Sequence, residues 1–392
     1  MGNSESTVPG NLNGRTILHI TPGLRRGGAE MMLTRLVTAL ARKNEGYRHV
    51  ILSLEPGNAF AKEHQEAGIK VVSLGMTSLL GLPWYYPRLR TMVNSLSPSL
   101  IHGWMYHGNM AAFHAGANCP VVFSIHNALD AWKHEKWTTR QIIRMGASMA
   151  RQARTVVYCS NISKTQHEAI GYPTTNAVII PNGVDVNRFK PDPSARNNLR
   201  KTLNIPPENM LFGQVARYHP IKNQIGLLQA FSMATEVIPN MHLLLAGEGC
   251  DASNTLLTNQ IRTLGLQNKV HLLGARSDVE EILPGLDALV SPSLSEAFPV
   301  VLAEAMACEL PCIATNVGDS AYIIGDTGMV VDTTDTGAMS KALLEMARSP
   351  EKERLNAGKK ARLSIVERFE IKNTINRYES LYTTLIQLIV KP

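Results

Sequence analysis

The chain has 392 residues, 44% hydrophobic and 18% charged, which excludes an intrinsically disordered, collagen-like or coiled-coil protein. At about 100–200 residues per domain, the length suits two or three domains. Lys and Arg number 39 against 32 Asp and Glu, a net charge of +7, and the excess lies in one half: residues 1–190 hold 20 basic against 10 acidic side chains, residues 191–392 hold 19 against 22.

Such asymmetry suits an anionic partner for the first half, whether nucleic acid, an acidic substrate or a membrane surface. No apolar run approaches the roughly 20 residues of a spanning helix, so none is expected. Cys119, Cys159, Cys250, Cys308 and Cys312 are too scattered for a zinc site or a disulfide framework. Reduced thiols in a cytoplasmic setting are the simpler reading.

Residues 1–15 are polar and read as a loose tail. Short β-branched runs then alternate with helical stretches. Strands are predicted at Thr16–Ile20, His49–Leu54, Lys70–Leu74, Leu100–His102, Val121–Ile125, Thr155–Tyr158 and Ala177–Ile180. The second half offers Leu211–Ala216, His242–Ala246, Val270–Leu273, Ala288–Ser291 and Pro311–Ala314. Helical patterns between them include Ala29–Arg42, Ile221–Glu236, Leu256–Leu264 and Val300–Ala307. Alternation of this kind predicts an α/β fold of parallel sheets covered on both faces. The pattern resets at the Pro-rich stretch Pro181–Pro193. The expected domains are 16–190 and 191–370, both Rossmann-like and doubly wound, with 371–392 as a final helix. Ligands of such sheets bind at the carboxyl ends of the strands, here in a central cleft.

The first strand leads into Thr21-Pro-Gly-Leu-Arg-Arg-Gly-Gly-Ala-Glu30. Its glycines allow close backbone approach, and the following helix offers free N–H groups to a phosphate. A plain turn is the alternative. The loop has neither dinucleotide-binding Gly spacing nor the Lys-Ser/Thr of a P-loop. The strand Leu211–Ala216 leads to Arg217 and Lys222, flanking a turn at Pro220; two cations there suit a diphosphate. A solvated basic loop is the alternative. The third segment runs from Ser293 to Ala307. Glu296 stands before a helix, Pro299 in its first turn and Glu304 inside it. Carboxylates there can accept hydrogen bonds from sugar and ribose hydroxyls, while the N–H groups of Phe298, Val300 and Val301 hold phosphate; the alternative is that Glu304 is a surface helix residue and Glu296 a cap-region acid.

Together these segments resemble the retaining GT-B glycosyltransferases of family 4. The resemblance rests on Glu296-x7-Glu304 behind Ser-Glu-Ala-Phe-Pro, Arg217-x4-Lys222-Asn, Ile180-Pro-Asn-Gly-Val-Asp185 with Phe189, and the Gly-Gly-Ala-Glu30 loop. Leu245-Ala-Gly-Glu-Gly249 and Leu273-Gly-Ala-Arg-Ser-Asp-Val279 fit as well. The family's usual Glu-Gly-Phe-Pro is Glu-Ala-Phe-Pro here. The resemblance implies that Arg217 and Lys222 hold the donor diphosphate and that Glu304 binds the nucleotide ribose. Glu296 contacts the transferred sugar beside Ala297, Phe298, Pro299 and Val300. Gly28 approaches the donor phosphate from the opposite domain, and His126 faces the donor sugar. The loop with Arg276 borders the base, and the final helix crosses back to the first domain. Retention of configuration follows, with Glu296 as positioner of the sugar and the leaving phosphate taking the acceptor proton. Glu296 and Glu304 come from one short segment and cannot readily flank one bond, as double displacement requires. There is no Asp-x-Asp tripeptide, and no metal or other cofactor is expected.

The acceptor is read from the basic half. His102 and His107 follow a strand toward the cleft and are acceptor candidates, with a structural role as the alternative. Lys133, Lys136, Arg140, Arg144, Arg151 and Arg154 fall within roughly an 80° arc if the segment is one helix. Ile142, Met145 and Met149 fall opposite. A core-packed helix with a solvated basic face is one reading; a helix lying on anionic headgroups is the other. A nucleic-acid partner is not expected, for want of a groove-reading element. The combined expectation is a transferase using a nucleotide-sugar and a lipid-linked or polysaccharide acceptor at the cytosolic membrane face. Alternatives are a non-hydrolysing sugar-nucleotide epimerase and a non-catalytic sugar-nucleotide-binding scaffold. Base, sugar, linkage and oligomeric state are not legible.

Overall fold

The computed structural model describes residues 15–43, 46–116, 118–130, 132, 137–332 and 335–390. Two parallel sheets form the frame. The first contains β1 (Arg15–Thr21), β2 (Tyr47–Ser53), β3 (Lys70–Ser73), β4 (Leu100–Trp104), β5 (Val121–Ile125), β6 (Thr155–Tyr158) and β7 (Ala177–Ile179), in the order 3-2-1-4-5-6-7. The second contains β8 (Met210–Val215), β9 (Met241–Ala246), β10 (Val270–Gly274), β11 (Ala288–Ser291), β12 (Cys312–Thr315) and β13 (Met329–Val331), in the order 10-9-8-11-12-13. Renumbered from its own first strand, the second sheet repeats the first: 3-2-1-4-5-6. Strands buried on both faces need apolar residues throughout, and β4, β6, β11 and β12 are buried along their whole length.

In each sheet the strand order reverses once, between β1 and β4 and between β8 and β11. Loops leaving those neighbours open a crevice at the carboxyl ends of the strands. Close backbone approach shapes the first reversal. A Cβ on Gly108 would lie 2.4 Å from the Ile20 carbonyl oxygen, so the helix Met105–His114 can cross β1 only with glycine there.

The chain crosses between the sheets twice, and the two crossings pair with each other. Val184 forms a parallel bridge with Glu370; the Val184 N–H donates to Phe369 and the Ile371 N–H to Val184, at 2.8 and 2.9 Å. The side chains of Val184, Val186 and Phe189 are already buried in the second domain's core, so the passage lies ahead of residue 191. After the second crossing, the helix Ile371–Val390 packs Ile375, Tyr378, Tyr382, Leu385 and Ile386 into the first domain's core beside Ile17, Leu36 and Trp104. Lys43 pairs with Glu379 of that helix at 2.7 Å. The tail, residues 1–14, lies outside the described residues.

Candidate active site

The second domain's reversal carries two loops. The one after β8 turns through His219, whose ring nitrogen accepts the Ile221 N–H at 3.2 Å, and through Asn223 in the left-handed region at φ 53°. Gln224 and Gln214 donate to the carbonyls of Arg217 and Lys222 at 2.9 and 2.7 Å, fixing both ends of the cationic segment. The loop after β11 is tied to it by the Leu294 N–H, which donates to Ile221 at 2.7 Å. Gly318, at φ 54°, lies so close under this second loop that a Cβ would stand 2.0 Å from the Glu296 carbonyl oxygen.

These anchors bring Lys222 and Glu296 together, with Arg217 on the same loop as Lys222. Arg217 is exposed. The Lys222 ammonium donates to Glu296 Oε1, which also accepts the Ser293 hydroxyl at 2.8 Å. An ammonium has three donors, so Lys222 can bind a phosphate while holding Glu296. Ala297, Phe298 and Pro299 are buried beneath the loop, and Val300 opens the helix Val300–Ala307. No side chain caps that helix, leaving its first N–H groups to a ligand. Glu304 is buried in its second turn. Arg276 lies at the edge, exposed and paired with Asp278 through Nε at 2.8 Å.

The first domain supplies the opposite wall. Gly28 opens the helix Gly28–Lys43, is exposed, and has no atom within 4 Å of where a Cβ would stand. Glu30 follows it. Burial raises the Glu30 carboxyl above the ordinary carboxylate range, and the residue's own backbone N–H and the field of Arg217 from the second domain oppose that rise. Further along the same helix, Arg35 donates to Glu304 Oε1 at 3.2 Å. Asp319 makes another contact between the domains. Its carboxylate accepts the N–H groups of Asn161 and Ile162, at 2.9 and 3.1 Å, at the start of the helix Asn161–Ala169.

His126 follows β5. Its ring stacks on Trp104, centroids 5.1 Å apart and planes within 13°, and Nε2 shares a hydrogen bond with the Ser124 hydroxyl at 3.1 Å. Burial pushes it down to about 4, with Asn182 offsetting part of the cost. At neutral pH it is therefore uncharged, with Nε2 on Ser124 and Nδ1 out of solvent.

Two sequence expectations are corrected. His102 does not line the cleft. It lies fully buried in β4, bonded through Nδ1 to the Tyr382 hydroxyl at 2.8 Å and packed beside Trp104 and Tyr378. A central strand covered on both faces has no surface to offer an acceptor. His107 stays half-buried in the first turn of Met105–His114, at the carboxyl end of β4. The six-residue basic arc does not form either. The helix runs Trp137–Ala150, and Lys133 and Lys136 lie outside the described residues. Arg151 and Arg154 follow the helix: Arg151 donates to the Gly171 carbonyl at 3.3 Å, and the Arg154 N–H donates to Val121 as the chain enters β6. Arg140 and Arg144 remain on the helix. Its buried face is Ile143, Ala147 and Ala150, while Met145 is exposed.

Comparison with known proteins gives the family. The family described as Glycosyl transferases group 1 matches residues 195–364, and Glycosyltransferase Family 4 matches residues 26–188. An N-acetyl-alpha-D-glucosaminyl L-malate synthase of Bacillus anthracis is 30% identical over 276 residues, 69% of this chain and 70% of that protein. The chain is a family 4, group 1 glycosyltransferase. A second relative is the UDP-Gal:alpha-D-GlcNAc-diphosphoundecaprenol alpha-1,3-galactosyltransferase of Escherichia coli, 26% identical over 71% of this chain and 72% of that protein. HepE of Anabaena, solved with UDP and glucose, shares the GT-B fold at a TM-score of 0.82 and 22% identity, over 95% of this chain and all of that one.

Within this glycosyltransferase, sequence reasoning picks out the cationic loop and both glutamates but misses Arg35, Asp319 and Trp104. Arg35 stands seven residues, two helical turns, beyond Gly28 and so shares its face. That spacing is the one signal in the sequence, and it does not by itself say what the face meets. Among the described residues, no group of three or more His, Cys, Asp or Glu is placed to hold a metal ion.

Proposed function

We propose that the chain is a retaining, metal-independent glycosyltransferase that moves a sugar from a nucleotide-sugar to a lipid-linked or polysaccharide acceptor at the cytosolic face of a membrane, in cell-surface glycan synthesis. The observation that carries this reading is the Lys222–Glu296 pair at the second domain's reversal, with Arg217 of the same loop acting on Glu30 of the first domain. Guanidinium and ammonium neutralise the diphosphate as its bond to the anomeric carbon breaks. The acceptor oxygen bonds that carbon on the same face, and its proton passes to the departing phosphate oxygen. Glu296, held by Lys222 and Ser293, orients the sugar.

The membrane part has its own support. Residues 67–167 hold ten Lys and Arg against two acids, Asp130 and Glu135. The helices Leu82–Leu96, Met105–His114 and Trp137–Ala150 carry no carboxylate at all. Trp84 and Trp137 are 87% and 72% exposed near the amino ends of two of them. Tryptophan beside arginine suits an anionic headgroup layer. Among the described residues no helix is long and apolar enough to cross a membrane. The E. coli relative is named for a diphosphoundecaprenol acceptor, which supports a lipid-linked one here.

A panel of UDP-, GDP- and ADP-sugars tests the reading. One base class raises the melting temperature, supports acceptor-dependent release of nucleoside diphosphate in the presence of EDTA, and yields a product of unchanged anomeric configuration. No stabilisation by any member, or product formed without acceptor, overturns it. Liposomes containing anionic lipid bind the protein at low salt and release it on Arg144→Glu; indifference to them removes the membrane part.

A further inference from the structure

The pair Arg35–Glu304 joins residues 269 positions apart and lies well out of solvent, with side chains 16% and 9% exposed. A buried carboxylate is costly unless paired, and here the partner comes from the other domain. Arg35 uses one acceptor site on Oε1. A carboxylate offers about four, so two hydroxyl groups can still be accepted beside it.

We infer that Arg35 is a positioning residue for donor binding: it reaches across the cleft and holds the Glu304 carboxylate oriented toward the donor's ribose hydroxyls. This rests on the reading of Glu304 as the ribose acceptor.

The surroundings of Glu304 support the assignment. Burial raises its carboxyl above the ordinary range, and Arg35 is the chief group opposing that rise. Arg188 and Glu280 also face it, but they pair with each other at 3.0 Å and act in opposite directions. Cys308, one helical turn further on, is pushed up to about 12 by burial and stays neutral. Arg362, on the packed helix Glu351–Phe369, donates instead to the carbonyls of Val186, Phe189 and Ala307. Without Arg35, Glu304 takes up a proton more readily. A protonated carboxyl has lost acceptor capacity, so ribose binding weakens as pH falls.

The experiment measures KM and kcat for the nucleotide-sugar from pH 6 to 8, with nucleoside diphosphate binding by calorimetry in parallel. In Arg35→Met, KM rises about tenfold at pH 7 and climbs further toward pH 6, while kcat changes less than about threefold. The wild type changes less over the same range, and Arg35→Lys restores most of the affinity and of that profile. In a Glu304→Gln background, Arg35→Met adds little, because no charge is left to hold. Wild-type KM and profile in Arg35→Met overturn the inference while leaving the donor reading intact. So does a KM increase that is the same at every pH, which a merely structural role would give. If the wild type binds no nucleotide at all, the donor reading and the inference fall together.

Discussion

The two domains share one strand order but fill it differently. The second packs a leucine-rich interior with Leu244, Leu289 and Leu302, buries its charges as pairs, Arg200 with Asp287 and Glu304 with Arg35, and has no buried histidine among its described residues. The first buries polar rings inside. His19 bonds to His49 at 3.1 Å, Trp104 donates to His19 at 3.3 Å, and His102 bonds to Tyr382 of the chain's last helix. One topology thus serves two ends. In the second domain, bonds from Gln214 and Gln224 to the backbone hold the cationic loop still. In the first, the final helix closes over a polar core and holds Trp104, and through it His126, in place. Chemistry is therefore expected to depend on the second domain's loops, and sensitivity to conditions on the first domain's interior.

The sharpest way to break that division is Lys222→Ala. It removes an ammonium that holds Glu296 and, on the proposed reading, the diphosphate, and leaves the loop's backbone bonds untouched. Turnover falls by about a thousandfold, the scale for losing one charge-stabilising donor, with the melting temperature little changed. Near-normal turnover shows that the cationic loop is a solvated loop and nothing more.

Next in size is Tyr382→Ala, which acts on the first domain alone. Tyr382 is 1% exposed and packs with Trp104, Tyr378 and Ile17. Its removal leaves a cavity and strips the partner from Nδ1 of His102, a ring whose Nε2 is already buried without one. The expected cost is about 3–5 kcal/mol, read as a fall in the first domain's unfolding midpoint while nucleoside diphosphate still protects the second. Equal loss in both domains would show that the interiors are not independent.

Legibility in the sequence follows the same division. Twelve of the thirteen strands coincide with the apolar, β-branched runs to within a few residues at each end. The missing one, β13, has three residues at a sheet edge and too little pattern to register. The site loops are legible because glycine, proline and charge cluster where a parallel strand ends; Val300–Ala307 matches its predicted bounds. Arg35 and Asp319 are not, since their partners lie 269 and 158 residues away and depend on how two domains meet. His102 is misplaced by sequence because proximity to a strand end says nothing about which layer covers the strand. The basic arc fails because helical spacing does not continue past Ala150, where the chain turns toward β6.

The smallest contrast is expected in mild acid. Burial lowers His49, His126 and His167 to about 4, and holds His19 and His102 well below the ordinary range. All five belong to the first domain, whereas in the second His271 is lowered to about 4 and His242 and His219 are lowered less. The unfolded value is near 6.5. Between about 6.5 and 4, then, the unfolded chain binds more protons than the folded one, and stability is lost as pH falls through that window. From pH 7 to 6 each such histidine removes roughly 1 kcal/mol or less. The first domain's melting transition should therefore move down over that single unit while the second's moves less, as followed by calorimetry with saturating nucleotide to separate the two. Equal shifts in both transitions would mean that the buried rings of the first domain keep a route to solvent, and that the contrast between the two interiors is one of composition rather than of burial.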